Sequence, residues 1–167
     1  GIFVQAEDEL AAVSMAIAHI EAELGIVIDK QVSGIDVATA PEAIFGYTCV
    51  NDVTARDLMR LDPAFVHWTR AKSFDSFGPF GPLIATDLEP AGLRVRAIVA
   101  GHELQNYPVS DMFFSPAEIV SNISHDMTLE PGDVIACGTS VGAGALADGD
   151  TVEVDIEGVG RLVNRFM

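Results

Sequence analysis

Glu21 and Glu23 lie two residues apart in His19-Ile20-Glu21-Ala22-Glu23-Leu24-Gly25-Ile26-Val27-Ile28-Asp29. Ile20, Ala22, Leu24, Ile26 and Ile28 alternate with them. Side chains of an extended strand repeat with period two, so both carboxylates point the same way, with Cα atoms roughly 7 Å apart. A third carboxylate, Asp52, ends a later apolar run, and Lys72 opens a Gly/Pro-rich loop. Two readings are open. Acidic residues on one strand face can simply be solvated, because a lone Glu-x-Glu carries little information. If the four residues meet, they form an all-oxygen set suited to a hard divalent cation, with an ammonium beside it. Three clustered carboxylates without a cation would repel one another and raise their own pKa values.

The elements that must position these groups read as follows. Residues 19–29 form a strand. Residues 1–6 read as a short strand, and 7–18 fit helix or strand. Residues 30–40 lack a period and read as loop, and Pro41 suits the first turn of a helix. Tyr47 to Val50 form a strand that delivers Asn51-Asp52. Residues 54–60 have helical propensity, and 61–71 read as helix or turn. Residues 72–82 read as loop from their Gly and Pro content, and 83–86 as strand. Leu93 to Ala100 and Glu103 to Asn106 form a hairpin about Gly101-His102. Ser115-Pro116-Ala117-Glu118 has the cap, N1 proline and N3 glutamate of a helix start, and the helix runs to about Ser124. Strands follow at 134–137, 151–156 and 161–166, with a Gly-rich loop at 138–144. The sum is a β-rich α+β chain, read as one domain over 1–167.

Composition narrows the function classes. The chain has 167 residues, 49% of them hydrophobic, and a net charge of −16. Its mean hydropathy is +0.32. These values favour a packed globule. No Lys/Arg stripe supports nucleic-acid binding. No apolar run reaches membrane-spanning length and no signal-peptide pattern opens the chain, so a cytoplasmic location is expected. Cys49 and Cys137 sit in apolar runs and read as buried free thiols.

Several segments, in order, resemble the fumarylacetoacetate hydrolase family. They are Glu21-Ala22-Glu23-Leu24, the run Gly46 to Asp57, Lys72-Ser73-Phe74-Asp75, the run Leu129 to Ile135, and Gly138-Thr139. The resemblance implies mixed, curved β-sheets rolled into a barrel-like core, usually in a homodimer. It implies Mg²⁺ or Mn²⁺ held by Glu21, Glu23 and Asp52, and an active-site lysine at Lys72. The alternative for Lys72 is a surface lysine or an ion pair with Asp75. Thr139 and Gln105 match substrate-contacting positions, with a turn and a structural role as their alternatives. Arg56 either pairs with a substrate carboxylate or braces the metal loop.

The implied substrates are small acids with a 1,3-dicarbonyl or 2-oxo group, and the implied reaction is hydrolysis of a carbon–carbon bond. The family's water-activating His–Glu lid pair has no match upstream of Glu21. That keeps decarboxylation and keto–enol isomerisation open, as well as non-catalytic binding of a small acid. His19, beside the metal strand, is expected to be structural.

Overall fold

The computed structural model describes residues 17–59 and 64–167. The strand expected at 1–6, the ambiguous stretch up to residue 16 and residues 60–63 lie outside them.

Among the described residues, ten strands and three α-helices carry the fold. The strands are β1 (Ala18–His19), β2 (Ala22–Ile28), β3 (Ile44–Asn51), β4 (Thr54–Ala55), β5 (Phe80–Ala85), β6 (Arg94–Val99), β7 (His102–Pro108), β8 (Val134–Ala136), β9 (Thr151–Ile156) and β10 (Gly160–Arg165). Three α-helices join them: α1 (Arg56–Met59), α2 (Trp68–Lys72) and α3 (Pro116–Asp126). One four-stranded sheet has the order β5-β3-β2-β8, the other β10-β9-β6-β7, and β1 pairs with β4. Every pairing among the described strands is antiparallel, which corrects the expected mixed sheets. Among the described residues the strands form two four-stranded sheets and one short pair rather than a closed barrel. The sheets pack on one another through a single hydrophobic cluster that includes Ile20, Leu24, Ile26, Val95, Val154 and Ile156. The chain is thus α+β and sheet-rich, as its alternating pattern implies.

The strand expected at 19–29 is interrupted. β1 pairs with β4, matching His19 to Thr54, whereas β2 pairs with β3. Between them the Ile20 N–H donates to the Gly144 carbonyl at 2.9 Å and the Glu21 N–H to Asn51 Oδ1 at 3.3 Å. The chain changes partners at Ile20-Glu21, which takes Glu21 off the regular ladder.

Both faces of β2 are buried. On the face that carries Glu23, a Cβ at Gly25 would lie 2.6 Å from Val50 Cγ2 and 2.8 Å from Thr48 Cγ2. Glycine is required there because two β-branched neighbours on β3 already fill the space.

The local signals elsewhere were largely accurate. β9 spans the expected residues. The cap before α3 is a full capping box between Ser115 and Glu118. The β6–β7 turn falls one residue earlier than expected, at Ala100-Gly101, both with positive φ (48° and 81°). That matches the primed turns that suit twisted hairpins. Pro41 opens only a 3-10 turn, Ala40–Ala43, because Ile44 is already extended. The segment 54–60 divides into β4 and α1, since pairing with β1 holds Thr54 and Ala55 extended. Both cysteines are free, with Cys49 buried and Cys137 half-buried.

Candidate metal and active site

The antiparallel register of β2 and β3 sets Ala22 opposite Asn51. The residue before β2 therefore meets the residue after β3, and the Asp52 N–H donates to the Glu21 carbonyl at 2.9 Å. Glu23, two residues along, is 3% exposed. One carboxylate oxygen from each of Glu21, Glu23 and Asp52 lies within 4.8 Å of the others. These residues come together by strand register rather than by strict alternation along one strand.

Lys72, the last residue of α2, completes the cluster. Its ammonium donates to Glu21 Oε2 at 2.9 Å, to Thr54 Oγ1 at 2.9 Å, and to Asp52 Oδ2. The ion pairs run to Glu21 and Asp52. Thr54 Oγ1 in turn donates to the Asp52 carbonyl at 3.0 Å. The Trp68 ring, one turn earlier on α2, has its centroid 5.8 Å from Lys72 Nζ and adds a cation–π contact.

A Gly-rich loop closes the other side. β8 pairs with β2 only from Gly25 to Val27, so Ala22 has no strand partner on that side. Side chains serve its backbone instead. Gln105 Oε1 accepts from the Ala22 N–H at 3.1 Å, while the Tyr107 hydroxyl and Thr139 Oγ1 donate to the Ala22 carbonyl at 2.7 Å and 2.9 Å. Gln105 Nε2 donates to Thr139 Oγ1 at 2.9 Å and to the Ser140 carbonyl at 2.8 Å. Gln105 is 2% exposed and engaged at both ends of its amide, so it braces the loop that carries Thr139. Gly138 N–H donates to Glu23 Oε2 at 2.7 Å. Gly138 and Thr139 also line a cavity of about 350 Å³.

Burial pushes the Glu23 carboxyl up to about 7, the Gly138 N–H works against the shift, and the Asp52 charge adds to it. Burial lowers the Lys72 pKa, but its hydrogen bonds to Asp52 and Glu21 outweigh that and leave it above the ordinary lysine value. Burial pushes Cys137 up to about 12, and the Glu23 charge reinforces the shift. A thiol so far from ionisation is no nucleophile at neutral pH.

His19, on β1, has a buried Nδ1 that finds no hydrogen-bond partner among the described residues. Burial, then the Arg56 charge, lowers its pKa. Arg56 opens α1 beside His19. Its guanidinium joins none of the ion pairs of the cluster, which run from Lys72. The sequence reading missed Thr54, Asn51, Tyr107 and the Gly138 N–H. Their sequence signal is that Asn51 and Thr54 lie in the family-like run Gly46 to Asp57 and Gly138 in Gly138-Thr139; Tyr107 has none.

Three carboxylates and one ammonium leave a formal charge of −2 in a partly dry site. A hard dication balances that charge with oxygen ligands only, so the donor set fits Mg²⁺ or Mn²⁺. Among the described residues no helix is long and apolar enough to cross a membrane.

Residues 3–167 match the model of the fumarylacetoacetate (FAA) hydrolase C-terminal domain. The chain belongs to the fumarylacetoacetate hydrolase family. It is 40% identical over 152 residues to the 4-hydroxyphenylacetate degradation bifunctional isomerase/decarboxylase of Salmonella dublin, covering 89% of this chain and 35% of that protein. A crystal structure of 5-carboxymethyl-2-hydroxymuconate delta-isomerase from Mycobacterium smegmatis superposes with a TM-score of 0.87 at 43% identity, over 90% of this chain and 59% of that one. Fumarylpyruvate hydrolase from Pseudomonas aeruginosa, solved with Mn²⁺ and pyruvate, gives a TM-score of 0.85 at 34% identity, over 90% of this chain and 66% of that one. The chain spans less than two thirds of the length of several curated relatives that it matches. Relatives in this family thus include isomerases, decarboxylases and hydrolases.

Proposed function

We propose that this chain carries the active site of a divalent-metal-dependent enzyme acting on small 2-oxo acids with a 1,3-dicarbonyl group, through an enolate. The observation that carries the reading is the meeting of Glu21, Glu23 and Asp52 within 4.8 Å, with Lys72 on two of them. Glu21, Glu23 and Asp52 would hold Mg²⁺ or Mn²⁺. Bound there, the ion supplies Lewis-acid polarisation of substrate oxygens.

The chain's own groups supply the rest. Lys72 places a positive charge beside the oxygen on which negative charge develops, an interaction that strengthens toward the transition state. Thr139 and its Gly-rich loop are the candidate contacts for a substrate carboxylate or carbonyl, and the Thr139 hydroxyl would turn from the Ala22 carbonyl to donate to it. Gln105 fixes the position of Thr139. Arg56, whose charge acts on His19, would be a second cation for a substrate carboxylate.

Hydrolysis of the carbon–carbon bond of an acylpyruvate-like acid is the first reading. Keto–enol isomerisation or decarboxylation is the second. A chemical argument favours decarboxylation within it: loss of carbon dioxide itself leaves the electron pair as the enolate, which the Lys72 ammonium can protonate, whereas hydrolysis also needs a base that activates water. The similarity to an isomerase and an isomerase/decarboxylase supports the same alternative.

Proton NMR of acetylpyruvate and oxaloacetate with the chain and Mg²⁺ or Mn²⁺ tests the proposal. Pyruvate with acetate means hydrolysis, loss of carbon dioxide means decarboxylation, and faster keto–enol exchange means isomerisation. Failure to change either acid with both ions present overturns it.

A further inference from the structure

The cavity beside Thr139 has its own chemistry. It measures about 350 Å³, within the range of small-molecule pockets. It shares Gly138 and Thr139 with the site, and Gly138 is the residue whose N–H holds Glu23. Its remaining wall is largely apolar, formed by Met112, Phe113, Phe114, Ile119 and Cys137. No lysine or arginine lines it among the described residues, and its one ionisable carboxyl is Asp111. Phe113 is 92% exposed and meets Phe114 edge to face, with ring centroids 4.8 Å apart. An aromatic pair so placed presents an apolar surface that a ligand arm would cover.

We infer that this cavity receives the acyl arm of the substrate and selects an uncharged, apolar arm over one that ends in a carboxylate. The inference rests on the proposed action on 2-oxo acids and names which of them fit. An alkyl arm buries apolar surface against Met112, Phe113 and Ile119. A carboxylate at the tip of the arm would lose water without gaining a cation and would face Asp111, a like charge. The residues that set this preference are Phe113, by contact, and Asp111, by repulsion. Neither belongs to the carboxylate–lysine cluster.

The test compares valerylpyruvate with glutarylpyruvate, which have the same length and differ in a methyl or carboxylate tip. Turnover is followed with the full chain and Mg²⁺ or Mn²⁺, alongside calorimetric titration of the metal alone. The wild type should favour valerylpyruvate by at least about fivefold in kcat/KM, mainly through KM. Asp111→Lys should narrow that ratio by lowering KM for glutarylpyruvate more than for acetylpyruvate. Phe113→Ser should raise KM for valerylpyruvate more than for acetylpyruvate. Equal kcat/KM for the two acids in the wild type overturns the inference, as does a ratio that Asp111→Lys leaves unmoved. If neither metal binds and no acylpyruvate turns over, the reading of the site itself fails, and this inference fails with it.

Discussion

Glu23 Oε2 accepts the backbone N–H of Gly138 at 2.7 Å, joining positions 115 apart in sequence. This bond ties the strand that carries Glu23 to the Gly-rich loop that carries Thr139. It also partly stabilises a carboxylate that burial would otherwise neutralise further.

Glu23→Gln keeps an acceptor for the Gly138 N–H and removes the charge. The variant should fold normally, and its affinity for Mg²⁺ and Mn²⁺ should fall by at least about tenfold. Calorimetry gives the affinity, and thermal unfolding of the metal-free protein confirms the fold.

Proton release should accompany metal binding. The Glu23 carboxyl sits at about 7 in the folded chain, against 4.5 for an ordinary glutamate. The folded state therefore binds more protons than the unfolded one between those values. By linkage, this group's contribution to stability falls as pH rises through that window and is fully lost above it. A divalent ion replaces the proton, so titration near the lower half of the window should release close to one proton from this site, and titration well above it almost none. Calorimetry in buffers of different ionisation enthalpy measures the release. Equal release at both pH values would contradict the assignment.

Lys72→Ala separates catalysis from metal binding. The ammonium holds two of the carboxylates that a cation would use, so its removal should leave Mg²⁺ affinity unchanged or increased. The same change should lower kcat by roughly 10²–10³-fold if Lys72 stabilises the developing oxyanion. An unchanged kcat would remove Lys72 from the mechanism.

Gln105→Leu tests the brace. The substitution strands the Ala22 N–H and frees Thr139 Oγ1 and the Ser140 carbonyl from their shared donor. Leaving such groups unsatisfied should cost about 1–3 kcal/mol, measurable by urea unfolding. KM should rise more than kcat falls, because the loop that carries Thr139 loses its position.

Gly25→Ala should destabilise the chain by roughly 1–3 kcal/mol, because the new methyl would overlap Val50 and Thr48 Cγ2 at 2.6 and 2.8 Å. Gly25→Ala with Val50→Ala should recover part of the loss, and a double-mutant unfolding cycle reads that recovery.

Local signals were legible wherever short-range physics decides. The capping box at Ser115 and Glu118 and the residues of β9 follow from neighbours in sequence. The candidate set Glu21, Glu23, Asp52 and Lys72 was likewise legible from residue type, order and family resemblance. The break between β1 and β2 was not. The alternation through residues 19–29 is continuous, and only competition between β4 and β3 as partners separates His19 from Ala22. The antiparallel order of both sheets was hidden for the same reason, since period two is common to parallel and antiparallel strands.

The sequence by itself determined which groups are available: three carboxylates, a lysine, a Gly-rich loop and enough alternating apolar residues to build two packed sheets. Tertiary structure decided how they meet. The β2–β3 register sets Glu21 against Asp52, α2 delivers Lys72 to both, and Gln105 holds Thr139 from a strand of the other sheet. Those relations depend on contacts between residues 20 to more than 100 positions apart. Strand pairing and the packing of whole sheets choose such contacts, and side-chain periodicity along one segment carries no record of them.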